Sequence, residues 1–185
     1  MEVKVHQEIN RNKFGYVLAN GIMFNLTWLA IVMTHSIVYA PIFALLYLAI
    51  HFSVMGKGWS EFRVICVVTV LGCTLDLLLF RLGVFTGDGL SLLPPFWLVC
   101  LWPVLATTLL HAFASLRGRY FIAGLLGAIG GVASYTAGTR LTGVAFGYGL
   151  YGPIIIGLLW AVLFPTLLEL AAILSKADHA DDKQS

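Results

Sequence analysis

The stretch 62–85, FRVICVVTVLGCTLDLLLFRLGVF, constrains this chain more than any other, because an aspartate sits inside an apolar run. A carboxylate at such a position costs about 2.5–3.5 kcal/mol or more unless it is paired, hydrated or protonated. On a helix, Thr69, Gly72, Cys73, Asp76 and Gly83 share one face. The other faces are Val, Ile, Leu and Phe. A small-and-polar stripe on an apolar helix should face other helices, leaving the rest to lipid. The expectation is a membrane bundle with an interior polar site.

Composition supports that class. Charged residues make up only 11% of the chain, against about a quarter in a soluble domain. Several runs near 20 apolar residues point to a polytopic α-helical membrane protein. The alternating ten-residue segments of a transmembrane barrel are absent. The first apolar run is too long for a signal peptide and reads as a retained helix. Cys66, Cys73 and Cys100 all lie inside apolar runs without a CxxC pair, so neither a disulfide framework nor a zinc site is indicated. Basic residues are spread among short loops, so no nucleic-acid partner is read; the bilayer is the partner.

The expected fold is all-α, a transmembrane bundle of six spans at roughly 14–34, 36–55, 62–85, 94–116, 120–140 and 153–174. Thr86-Gly87-Asp88-Gly89 is a turn signal. Pro94-Pro95 suits a first helical turn, and Pro103 should kink the fourth span. Residues 1–13 form a cytoplasmic segment, 14–174 the membrane domain, and 175–185 a disordered cytoplasmic tail. With six spans and the amino terminus inside, Lys4, Arg11, Lys13, Lys57, Arg63, Arg117, Arg119, Lys176 and Lys183 fall on the inner side. Only Arg81 and Arg140 fall outside, and nine plus two accounts for all 11. This bias predicts both termini in the cytoplasm.

Depth along the helices sorts the polar residues into two layers. The outer layer is the candidate binding site: Asp76, Tyr135, Arg140, Arg81 and Ser134. Within it Asp76 is expected to pair with Arg140, because Arg81, five residues on, points away from it. The second, inner layer holds Asn20, Thr107, Thr108 and His111. Glu169 and His51 are expected near the cytoplasmic surface, hydrated, and the tryptophans are partly an interfacial belt. On the fifth span Gly124, Gly127, Gly131, Ser134 and Gly138 form a seam of small residues that favours close helix packing.

Several chemistries are absent. The five histidines form no HxxxH or HxxHH pair, which excludes a histidine-box di-iron enzyme on ligand count. There is no HExxH, GxSxG or Walker loop. No metal, cofactor or catalytic residue is read, and only Asp76 and Tyr135 offer titratable groups for catalysis.

Two stretches carry a family resemblance. One runs Pro94-Pro95-Phe96-Trp97-Leu98 through Leu101-Trp102 to Ala106-Thr107-Thr108-Leu109. The other runs Gly127-Ala128-Ile129-Gly130-Gly131 to Ser134-Tyr135-Thr136-Ala137-Gly138-Thr139-Arg140-Leu141. With Asp76 on the third span, they resemble a bacterial inner-membrane family catalogued as domain of unknown function 2878. The resemblance implies multi-pass insertion in the inner membrane and a connection to lipid, with enzymes that modify membrane fatty acids as partners. Three readings stand at this point: a lipid-binding or lipid-modification role, a small proton- or cation-coupled carrier using Asp76, and a structural subunit of a membrane complex. Substrate and oligomeric state are not legible.

Overall fold

The structure, a computed structural model, describes residues 2–56, 58–87 and 92–181, with side chains from Phe14 to Lys176 among them. Lys57, Asp88 and Gly89, residues 182–185 and the side chains of Lys4, Arg11 and Lys13, which enter the orientation and turn expectations, lie outside the described residues. The fold is all-α. Its helices are α1 (Glu2–Thr34), α2 (Tyr39–Val54), α3 (Trp59–Arg81), α4 (Phe96–Val99), α5 (Leu101–Leu110), α6 (Tyr120–Leu141) and α7 (Tyr151–Asp181). Four of them contain stretches long and apolar enough to cross a membrane: Phe14–Thr34, Trp59–Arg81, Tyr120–Leu141 and Tyr151–Lys176. Tyr39–Val54 and Phe96–Leu110 are apolar but shorter. Large apolar side chains such as Leu26, Ile129, Leu158 and Val162 stand exposed around the bundle. A water-soluble surface does not tolerate so much contiguous apolar area, so the chain is a multi-pass membrane protein.

The short α5 is the centre. It packs against α1, α2, α3 and α7. Trp102, Val104, Ala106, Thr107, Thr108, Leu109 and Leu110 are all buried on it. The fourth span departs from expectation at both ends. The helix is interrupted at Cys100, before Pro103 rather than at it. Pro103 has no N–H to give the Val99 carbonyl, so the ladder fails one turn earlier. It stops again at Leu110, where His111 takes φ −122° and ψ −86°, and resumes only as a 3-10 turn at Ala114–Leu116.

The third span also ends earlier than expected. Gly83 adopts φ +72°, where a side chain is strained. Its N–H bonds Phe80 O at 3.0 Å while Val84 N–H reaches Leu79 O at 2.9 Å. These are the two bonds of a Schellman stop, so Gly83 caps α3 rather than lining its polar face. The chain then forms strand β1 (Phe85–Thr86), which pairs antiparallel with β2 (Ala145–Phe146) in the α6–α7 connection. Gly147 donates to Val84 O at 3.0 Å, and Tyr148 OH donates to Leu82 O at 2.5 Å. These bonds latch two connections at one end of the bundle.

The seam on α6 divides in two. A Cβ on Gly124 would come within 2.9 Å of Ala161 O, and one on Gly127 within 2.6 Å of Trp160 O. A Cβ on Gly131 would run into the Trp160 ring. These three glycines let α6 lie on the backbone of α7. Gly138 is buried yet has nothing within 4 Å of a built Cβ. It faces open space. α7 continues through Asp181, past the expected end of the last span.

Candidate functional site

The first site is built on α3. Gly72 lies one turn before Asp76, and a side chain there would overlap the indole of Trp102. The missing side chain lets Trp102 lie against α3. Its Nε1–H then donates to Asp76 Oδ2 at 2.6 Å. Tyr135, from α6, donates its hydroxyl to Asp76 Oδ1 at 2.8 Å. The Tyr135 ring is held by stacking on Phe85 at 5.1 Å, and Trp102 stacks on Trp160 at 5.9 Å with planes 7° apart. Asp76 is wholly buried. Both its oxygens are therefore met by neutral donors fixed by aromatic packing.

The expected pairing with Arg140 is not present. Arg81 and Arg140 are both exposed, and no ion pair to Asp76 occurs among the described residues. Arg140 sits in the last turn of α6, with its side chain exposed. Bringing it to Asp76 would strip its hydration, whereas an indole and a phenol arrive already desolvated. The arginines thus leave the site, Tyr135 stays in it, and Trp102 joins.

Beside this site lies a cleft of about 540 Å³, lined among others by Trp28, Phe85, Trp102, Tyr135, Trp160 and Phe164. Ser134 and Gly138 line it too. Asn25 on α1 and Leu126, Gly130 and Ala133 on α6 belong to the lining and are exposed, so the cleft opens on the flank of the bundle between these helices. The indole N–H of Trp160 is buried in its wall beside the Tyr135 hydroxyl. Asp76 itself is not part of the lining.

The inner layer forms a second and larger polar site. Asn20 Oδ1 accepts the Ala112 backbone N–H at 3.3 Å, which turns its amide nitrogen inward. That nitrogen donates to Tyr47 OH at 3.2 Å and lies 3.4 Å from His51 Nδ1 and from Thr107 Oγ1. Thr107 gives its own proton to Val104 O at 2.9 Å. Tyr47 must therefore be the donor in its 2.6 Å bond to Thr107. The bonds run in one direction, Asn20 to Tyr47 to Thr107 to backbone. With Nδ1 facing a donor, His51 carries its proton on Nε2 and donates to Glu61 Oε1 at 2.8 Å. His111 Nε2 reaches the same oxygen, also at 2.8 Å. The two imidazoles are edge-to-face at 5.0 Å.

Several expectations change here. His51 is wholly buried rather than hydrated, as is Glu61. Thr108 is buried but turned to Leu105 O on its own helix at 2.6 Å. The break after Leu110 aims His111 at Glu61. Glu169, half-buried, keeps an exposed setting and accepts the Gly118 N–H at 2.9 Å. Trp97, Trp102 and Trp160 are buried in the bundle rather than at its rim. No metal-ligand set was expected, yet one ligand atom each from His51, Glu61 and His111 lie within 4.8 Å of one another.

The family pattern described as protein of unknown function DUF2878 matches residues 17–166. The chain belongs to this family. No curated protein and no solved structure matches it.

Proposed function

We propose that this DUF2878 member is a six-span inner-membrane protein, both termini cytoplasmic, that takes a membrane lipid or a similarly slender apolar molecule into the cleft between α1 and α6. The cleft carries this reading. Its volume, about 540 Å³, falls in the range of about 300–1,000 Å³ usual for small-molecule sites. Its walls are aromatic and aliphatic, its floor includes glycine, and its mouth faces hydrocarbon rather than water. Dispersion contacts with an acyl chain would replace those that an empty space forfeits. The carrier reading is weaker because Asp76, its ion site, stands outside the cleft with both oxygens already bonded.

The test uses Gly138, whose side-chain direction is open space. Gly138→Leu should fold, fill the cleft and remove lipid that co-purifies with the wild-type chain, read by native mass spectrometry. Leu125→Phe, at an exposed position, should retain it. Equal lipid occupancy in Gly138→Leu and wild type would refute the proposal.

A further inference from the structure

We infer that His51, Glu61 and His111 form a binding site for a first-row divalent transition metal. This goes beyond the lipid reading and does not depend on it. The three side chains come from the end of α2, the start of α3 and the break after α5. Residues far apart in the chain thus deliver two imidazole nitrogens and one carboxylate oxygen to one point. Two histidines and a carboxylate are the donor set of zinc hydrolase sites and of non-haem iron(II) sites. Donors around one ion at bonds of about 2.0–2.2 Å lie about 3.0–3.4 Å apart. Both Nε2–Oε1 separations are 2.8 Å and all three donors lie within 4.8 Å of one another, so an ion would spread Glu61 from each ring by a few tenths of an ångström while the two rings turn to suit its coordination angle. Glu61 and His51 are wholly buried, and the His111 side chain is 9% exposed. That edge is where an ion enters. Three protein donors leave further coordination positions free for water or another ligand.

The surrounding hydrogen bonds can support the ion by reversing. A metal on His51 Nε2 requires the proton on Nδ1, which then needs an acceptor. Rotating the Asn20 amide provides its oxygen to Nδ1–H and to the Tyr47 hydroxyl, while Tyr47 in turn accepts from Thr107. The rotation sacrifices the Ala112 bond, and Thr107 turns its proton from Val104 O to Tyr47. A carboxylate at position 20 avoids that loss, since one oxygen keeps Ala112 N–H and the other receives Nδ1–H. Asn20→Asp should therefore bind metal more tightly than wild type.

The experiment uses the full chain in lipid nanodiscs, stripped with chelator and titrated with Co²⁺ followed by visible absorption, with Zn²⁺ as competitor. We expect one saturable site per chain whose X-ray absorption shows imidazole in the metal's coordination shell. Glu61→Gln and His111→Gln should each weaken binding at least about tenfold, and Asn20→Asp should tighten it by about tenfold, the scale of effects on such ligands and their supporting groups. Asp76→Asn, in the other site, should bind as wild type does. Absence of saturable binding, Co²⁺ without imidazole ligands, or equal affinity in wild type and Glu61→Gln would each overturn the inference. The absorption measurement needs no variant, so it decides even where a substitution prevents folding.

Discussion

Replacing Asp76 separates a charge-paired site from one held by neutral donors. In the structure Asp76 accepts two hydrogen bonds, from Trp102 and Tyr135, and no arginine approaches it. An asparagine can keep both contacts. Its oxygen accepts from the indole, and its amide donates to the Tyr135 oxygen once the hydroxyl rotates. The exchange trades charge-assisted bonds for neutral ones and turns the Tyr135 proton away from its acceptor, so it should cost about 1–3 kcal/mol. Asp76→Leu is different. It leaves a buried indole N–H and a buried hydroxyl without acceptors, at about 1–3 kcal/mol each, or about 2–6 kcal/mol together. Arg140→Gln should be silent. The measurement is reversible unfolding in mixed micelles with increasing denaturing detergent. A buried ion pair predicts another pattern: about 3–5 kcal/mol lost on removing either partner, with recovery in the double variant. If Arg140→Gln is as damaging as Asp76→Leu, and Asp76→Asn rescues it, the account of this site is wrong.

Further perturbations test the packing. Gly131→Leu should drive α6 off Trp160 of α7 and destabilise by about 1–3 kcal/mol, while Leu125→Phe on the exposed face should unfold like wild type. Gly83→Ala places a side chain at φ +72° and should cost about 1–2 kcal/mol in the same assay. Topology reporters fused after Gly87, Arg117 and Lys176 should read outside, inside and inside; an outside reading at Arg117 would break the six-span arrangement.

The class of fold was legible because apolar runs of membrane-spanning length need no tertiary information. The outer site was half legible. The spacing of Gly72 and Asp76 marked an inward face, and depth matched Asp76 with Tyr135. What failed was the assumption that a buried charge seeks a charge, which favoured Arg140 over Trp102. The inner site was missed for a different reason. Glu61 lies between Ser60 and Arg63 at a helix start, a context that reads as solvated. Yet Ala40, Ala44, Tyr47 and His51 recur at spacings of 4, 3 and 4 and are all buried. Glu61, Ile65, Val68, Gly72, Asp76 and Leu79 likewise form the buried face of α3. Extending the Asp76 stripe backward by this spacing would have reached Glu61. The break at His111 has no local signal, since neither Ala112 nor Phe113 disfavours a helix as Pro103 does.

The direction of the hydrogen bonds around Asp76 also bears on how the chain is made. Synthesis runs from the amino terminus, so α3 leaves the ribosome with its aspartate before either donor exists. Trp102 arrives with the following segment, and Tyr135 only with α6. During that interval the carboxylate has to stay with water, the insertion machinery or a proton. Glu61 is in the opposite position, because His51 precedes it and can meet it at once. The strand pairing of Phe85 with Phe146 closes after the α6–α7 connection has emerged, when all the partners of Asp76 are already in the membrane. The last hairpin thus finishes a site begun two segments earlier, and a chain truncated before α6 should be retained by insertion factors or degraded rather than released into the bilayer.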